Sequence, residues 1–435
     1  MDYIKEETLA YNLHFIKTKK FKKNSIRINF KNIVNKEEIT YRNMLINVLL
    51  ESSKNYPTKR LLDIRSEELY GVSVNSNTTI SGNYNVISFS ATFLNEKYTE
   101  ECMLEETIKY FLEFIFNPNV SNGAFDKDSF NKAKNILLED LETFKDNPRR
   151  YSISRCYEEM DKNSNIALNG VGYLEDLKKI DEKSLYEYYK KVLNSDIVDI
   201  FVIGDFDNNI KEIISKYMQI NTLKKTRGSH IITHNSFRRK EKVVKEKSKF
   251  NQSTLVIGFK SDKLTEFERK YVSNMYNFIL GGGPDSRLFE IVREQNSLCY
   301  SISSSFSGIT NTMTISSGIN RKDYNKTLKL IKKIVKDISL GNFSDDEIEK
   351  GKITYLSTFK ELEDSIYSIL NLYVSKEYLD LDLLDERKKE IVKVTKEDII
   401  NFSKKIHMDT IFLLEGESNA EEETNWHGCL LWKIR

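Results

Sequence analysis

The sequence predicts an α+β protein made of two similar mixed α/β sandwich domains. Two observations carry that expectation. Strand-like stretches of alternating or β-branched residues are interspersed with amphipathic helices, with a hairpin-rich stretch at 71–93. The plan also occurs twice. Ile180–Lys191 (IDEKSLYEYYKK) precedes a buried strand ending FVIGD, and Val394–Lys405 (VTKEDIINFSKK) precedes one ending FLLEG. Phe130-Asn-Lys-Ala-Lys has a counterpart in Ile348-Glu-Lys-Gly-Lys, and Arg60-Leu-Leu-Asp-Ile in Arg287-Leu-Phe-Glu-Ile. The offset is about two hundred residues each time and the order is kept, the mark of an internal repeat.

In chain order, Leu9–Lys17 and Ser25–Phe30 read as strands, Tyr41–Leu50 and Thr58–Leu69 as helices. Gly71–Phe93 reads as strands with turns at Asn75–Asn77 and Ser81–Asn85. Glu105–Phe116 and Asp126–Phe144 are helices stopped by Asn117-Pro118 and Asn147-Pro148. Tyr151–Met160 and Ser184–Leu193 add two more, and Ile197–Ile203 is a buried strand closed by Gly204-Asp205. The expected boundaries are a first domain at 1–222, a charged linker at 223–249, a second domain at 250–417 and a tail at 418–435 that ends WHGCLLWKIR.

Composition narrows the function classes. A chain of 435 residues, 39% hydrophobic and 30% charged, has the balance of a globular protein rather than a disordered one. Lys and Arg number 67 against 65 Asp and Glu, so the net charge of +2 gives no basic surface for nucleic acid. No apolar run approaches the ~20 residues of a membrane span. The first residues, MDYIKEETLAYNLHF, lack the apolar core of a signal peptide. Cys102, Cys156, Cys299 and Cys429 are scattered, which fits reduced thiols and a cytoplasmic location.

The most informative stretch is Gly281–Ser305, GGGPDSRLFEIVREQNSLCYSISSS. It is no phosphate-binding loop, because GxxxxGK[ST] is absent and Pro284 removes a backbone donor. Three glycines and a proline mark a turn, Arg287–Gln295 a short helix, and Leu298–Phe306 a strand, with Cys299 expected on its buried face. Arg293 and Tyr300 flank the junction. A guanidinium can engage peptide carbonyls, and a phenol can donate to a developing oxyanion.

The run LGGGPDSRLFEIVREQNSLCYS resembles the glycine-rich signature in the C-terminal half of the insulinase/pitrilysin family of zinc metallopeptidases, with Arg and Tyr seven apart. The resemblance implies two homologous α+β domains hinged as a clamshell, and it assigns Gly281, Gly282, Gly283, Arg293 and Tyr300 to substrate binding. The family's zinc motif, HxxEH, belongs on a helix of the first half, before a Tyr-Pro that here is Tyr56-Pro57. Counting back along VLLESSKNYPTKR puts Asn43, Ile46 and Asn47 at its three functional positions. Two amides and an alkyl chain neither hold the metal nor activate water. The third-ligand glutamate falls at Phe130, Asn131, Lys132 or Ala133, and Glu139 lies about two turns too late. His14, His230, His234, His407 and His427 form no alternative metal pattern, and no G-x-S-x-G elbow or cysteine nucleophile is evident.

The chain thus resembles members that carry the Arg/Tyr signature and rely on a second chain for HxxEH. A branch of this kind occurs in low-GC Gram-positive bacteria and is labelled in association with elongation factor P modification. The implied role is a non-catalytic, substrate-binding subunit, inactive alone. It would have no cofactor of its own, zinc being held by a homologous HxxEH-bearing partner in a heterodimer; a homodimer is the other arrangement. The alternative is a purely structural or peptide-binding protein with no part in proteolysis. Neither nucleic acid nor membrane is expected as a partner.

Overall fold

A computed structural model describes residues 1–207, 209–220 and 228–417. The expected tail at 418–435 lies outside the described residues. The chain begins with strands β1 (Asp2–Glu7), β2 (Asn12–Lys17) and β3 (Lys23–Ile33), then helices α1 (Lys36–Leu49) and α2 (Lys59–Glu68). A hairpin, β4 (Ser73–Ser81) and β5 (Tyr84–Leu94), leads to α3 (Met103–Phe116), the short ribbon β6 (Val120–Ser121) and β7 (Ala124–Phe125), and α4 (Lys127–Glu142). Next come α5 (Pro148–Met160), α6 (Leu174–Leu177), α7 (Glu182–Ser195), β8 (Ile197–Gly204) and α8 (Asn209–Tyr217). The second half runs β9 (Lys242–Lys247), β10 (Ser253–Ser261), α9 (Ser273–Gly281), a helical segment Leu288–Gln295, β11 (Cys299–Ser307) and β12 (Thr312–Ile319). It ends with α10 (Tyr324–Ser339), α11 (Asp345–Leu362), α12 (Ile366–Leu379), α13 (Leu384–Ile391), α14 (Lys396–Lys404) and β13 (Ile406–Glu415).

The repeat read from the sequence is a repeat of topology. One sheet has the order β1-β2-β8-β3-β5-β4 and the other β11-β12-β10-β13-β9. Leaving out β1, each strand of one has a counterpart in the other, and the senses agree. β2 is parallel to β8 and β9 to β13, while every other pairing is antiparallel. The repeated sequence segments start their helices alike. Asp181 and Ser184 form a reciprocal capping box at α7, and Thr395 and Asp398 form one at α14. Each satisfies two otherwise orphaned N–H groups. The strand that follows, β8 or β13, is almost wholly buried.

Contacts divide the chain into two compact units, Met1–Phe144 with Leu168–Ile232 and Leu356–Glu386, and Lys145–Ala167 with Thr233–Tyr355 and Arg387–Arg435. The units are therefore not the contiguous halves that the sequence suggested. Helix α5, from the first half, packs on β10 and β13 of unit 2, and α12, from the second half, packs on β8 of unit 1. Gly258 on β10 admits α5, since a Cβ there would lie 2.4 Å from the Met160 sulfur. In unit 1, Ile366, Ile369, Leu370 and Tyr373 of α12 pack on Ile16, Phe201 and Ile203. The expected linker contains β9, which pairs with β13. The expected turn at Asn75–Asn77 is continuous strand, and the hairpin turns once, at Gly82, whose φ is 59°. No helix among the described residues is long and apolar enough to cross a membrane.

Candidate functional site

Helix α1 carries Asn43, Ile46 and Asn47, the positions where the zinc motif is expected, and their contacts are structural. The Asn43 amide donates to the carbonyl oxygens of Ile39 (2.9 Å) and Gly170 (2.8 Å), and its oxygen accepts from the Thr78 hydroxyl at 2.8 Å. It brackets α1 to β4 and to the loop before α6. Ile46 is buried in the unit 1 core and Asn47 is half-buried. On α4, which packs against α1, Phe130 and Ala133 are in the same core, while Asn131, Lys132 and Glu139 are exposed. The residues present do not fit a zinc ion. Among the described residues no three His, Cys, Asp or Glu side chains are placed to hold a metal.

The four described histidines are engaged elsewhere. His14 meets the Tyr3 hydroxyl, His230 the Ser81 carbonyl, His234 the Thr310 carbonyl, and His407 the Asp262 carboxylate. His427 lies outside the described residues. Glu113, a buried carboxylate that the sequence did not single out, accepts from Ser53 (3.1 Å), from the Asn55 N–H (3.0 Å) and side chain (3.0 Å), and from Asn117 (3.2 Å). It fixes the loop leading to Tyr56-Pro57.

In unit 2 the glycine-rich stretch has a packing role. A Cβ on Gly281 would lie 2.6 Å from the Ser304 backbone nitrogen, so only glycine lets the end of α9 seat against β11. Gly282 has an ordinary φ of −80°, and Gly283 has open space around its Cα. The segment Leu288–Gln295 buries Leu288 and Val292 and packs along β11, which leaves Arg293 on its outer side. The Arg293 guanidinium lies 4.4 Å from the centre of the Phe289 ring and 3.7 Å from the Glu294 carboxylate.

Tyr300 owes its position to a β-bulge. Cys299 pairs with Ile319 but Ser301 with Gly318, so Tyr300 is an extra residue in the ladder. Strict alternation would put Cys299 and Ile302 on opposite faces, yet both are buried, and Tyr300 and Ser301 are both exposed. The bulge turns the phenol outward. Tyr300 is 70% exposed and, among the described residues, has no hydrogen-bond partner. Cys299 is buried, as expected, and burial raises its thiol pKa against the opposing pull of the Ser317 hydroxyl and the Arg293 charge. It is a poor nucleophile. No hydrogen bond or ring contact joins Arg293 to Tyr300 among the described residues.

Comparison with known proteins agrees with this architecture. Residues 179–355 match the family described as peptidase M16 inactive domain. A protein of Bacillus subtilis (strain 168) described as a probable inactive metalloprotease, YmfF, is 30% identical over 412 residues, covering 94% of this chain and 96% of the relative. A conserved protein from Enterococcus faecalis V583 has the same fold at 28% identity, with a TM-score of 0.89 over 96% of this chain and 99% of that one. A peptidase M16 inactive domain from Pseudomonas fluorescens shares the fold alone, at 16% identity and a TM-score of 0.78 over 96% of this chain and 99% of that one. The chain belongs to the M16, insulinase-type, peptidase family. Within it, the chain is similar to proteins described as inactive, and Asn43, Ile46 and Asn47 stand at the positions where the zinc motif is expected.

Proposed function

We propose that the chain is the substrate-binding subunit of a two-chain insulinase-type peptidase, supplying Arg293 and Tyr300 to a peptide whose scissile bond meets zinc on a homologous HxxEH-bearing partner. The observation that carries this reading is the Tyr300 phenol, turned outward by a bulge and free of any partner among the described residues. A buried packing tyrosine would have found a hydrogen bond. An exposed one without a structural role is available to donate to an oxyanion, and Arg293 on the preceding helical segment can hold the peptide backbone.

The test is co-expression with an HxxEH homologue from the same genome, followed by cleavage of a quenched peptide library. Tyr300→Phe is expected to lower kcat by about 10²–10³ while KM changes little. Wild-type turnover by Tyr300→Phe in an intact complex, or separate elution of the two chains at micromolar concentration, would sink the proposal. One observation favours the second reading, a peptide-binding protein without a part in proteolysis. The Arg293 guanidinium already rests on Phe289, as a residue kept for local packing does. Under that reading Arg293→Ala weakens peptide binding and no partner-dependent cleavage appears.

A further inference from the structure

A cavity of about 440 Å³ opens in unit 2 beside β11, lined by the α5 residues Arg149, Arg150 and Tyr157 and floored by Ser303, Ser305 and Ser316. Ser303 faces Ser316 across the β11–β12 pairing, so their hydroxyls share one face. Because the bulge puts Tyr300 and Ser301 together on the exposed side, this serine face is the one Tyr300 joins. We infer that this cavity selects an acidic side chain of the bound peptide, an inference that rests on the peptide-binding role proposed above.

Three observations carry it. The first is charge. The lining includes two arginines and no aspartate or glutamate. Arg149 makes one hydrogen bond among the described residues, from Nη2 to the Ser303 hydroxyl at 2.8 Å, and no ion pair, so most of its five N–H donors remain for a ligand. The second is the helix. α5 has 13 residues and begins at Pro148, so its positive end lies at the same place, with the Asn147 side chain accepting from the Arg150 N–H. The third is Ser316. It is 5% exposed, lines the cavity and has no hydrogen-bond partner among the described residues. Its hydroxyl is left to the cavity, and a carboxylate there would pair it. Guanidinium and carboxylate then meet in the forked geometry that suits them.

The place of the acid in the peptide follows from the strand. Ser303 is three residues beyond Tyr300, about 10 Å along β11. An extended peptide in contact with Tyr300 presents its acidic residue about three positions away.

The experiment uses the full-length chain and fluorescein-labelled, unstructured peptides in which a single Glu is moved position by position through a Gly/Ser/Gln background. Fluorescence anisotropy is expected to show one register that binds on the order of tenfold tighter than its Gln counterpart. Arg149→Gln removes that preference, Arg149→Lys keeps part of it, and Arg239→Gln, an exposed change elsewhere, leaves it. Peptide binding with no preference for Glu, or a preference that survives Arg149→Gln in a protein of unchanged Tm, overturns the cavity assignment alone. Absence of binding by every peptide overturns the peptide-binding role and the cavity assignment with it.

Discussion

The two units place the same buried ion pair at the same point of their sheets and finish it differently. In unit 1, Lys31 on β3 pairs across from Ile197, and Asp199 lies two residues on along β8. In unit 2, Lys260 on β10 pairs across from His407, and Asp409 lies two residues on along β13. Both ammonium–carboxylate distances are 3.5 Å. The unit 1 pair is sealed. The Tyr378 hydroxyl donates to Asp199 at 2.8 Å, Asn12 at 2.7 Å, and the Lys31 ammonium lies 3.8 Å from the Tyr378 ring centre. His230 stacks on Tyr84 at 4.2 Å and on Tyr378 at 5.3 Å. The unit 2 pair borders a cavity of about 390 Å³, lined also by Glu159, Asp161, Arg238 and Lys242. There Asp409 takes Arg238 at 3.1 Å and Thr410 at 2.7 Å, while its second oxygen has no hydrogen bond. The difference traces to one place in the repeat. The penultimate residue of α12 is Tyr378, and that of α5 is Glu159. An aromatic ring covers the unit 1 pair; in unit 2 an acid bound to Lys242 and Arg155 lines a cavity beside a pair that is itself buried. One plan thus gives one unit centre closed by an aromatic ring and one that borders a cavity.

The largest expected effect tests that contrast directly. Burial pushes the Asp199 pKa up, but the His14 imidazole 3.7 Å away and the Lys31 charge hold it below the ordinary carboxylate range. Asp199→Ala leaves Lys31 buried and uncompensated, at a cost of about 3–5 kcal/mol in urea denaturation. Asp409→Ala is expected to cost less, about 1–2 kcal/mol, because Lys260 keeps the Met160 carbonyl at 3.3 Å and the cavity admits water to the rest. Equal losses would mean that the cavity does not relieve the pair.

A second contrast lies between helix α1, where the zinc motif is expected, and the glycine-rich stretch of unit 2. Asn43→Ala removes three hydrogen bonds from a half-buried bracket and is expected to cost about 1–3 kcal/mol. The triple change Asn43→His, Ile46→Glu, Asn47→His is expected to bind no stoichiometric zinc by metal analysis after dialysis, since Phe130, Asn131, Lys132 and Ala133, the positions on α4 expected for a third ligand, include no carboxylate. In unit 2, Gly281→Ala forces a methyl against the Ser304 nitrogen and should cost about 1–3 kcal/mol, whereas Gly283→Ala should stay within about 0.5 kcal/mol. Matching Tm values for the two glycine variants would remove the packing reason given for Gly281.

Much of this was legible in the sequence, and the gaps have physical causes. The repeat could be read because capping boxes and buried strands depend on local residues, Asp181 and Ser184 in one copy and Thr395 and Asp398 in the other. The expectation that Asn43, Ile46 and Asn47 replace the zinc motif comes from counting back from Tyr56-Pro57 along the family resemblance. Strand β9 escaped notice because Lys242, Lys245, Glu246 and Lys247 place it inside a charged run, and an edge strand needs only every second residue half-buried. The units of α5 and α12 were not readable either. Periodicity tells which helix face is buried, not which sheet buries it. Tyr300 was singled out by its spacing from Arg293, but its exposure depends on a bulge, which alternation does not announce. Arg149 is one of many surface cations until the fold sets it over Ser303.

A last contrast separates the units by pH. Burial and the nearby Lys31 charge lower the His230 pKa from 6.5 to about 4. Its ring must stay neutral in the folded state, while the unfolded chain protonates near 6.5. Between those values the unfolded state binds more protons, so stability rises with pH. The contribution is complete above about pH 6.5 and lost progressively as pH falls toward 4, worth about 1–2 kcal/mol once solvent at the ring's edge screens part of it. Thermal unfolding of the wild type should therefore drop by a few degrees across that window. His230→Phe keeps the stacking on Tyr84 and Tyr378 but loses the bond to the Ser81 carbonyl. It should start about 1 kcal/mol lower at neutral pH and follow a flatter profile. Part of the slope should persist, because burial also lowers the pKa of His234 in unit 2. A His230→Phe profile as steep as the wild type would place the pH sensitivity outside the sealed unit 1 centre and undo the distinction drawn between the two.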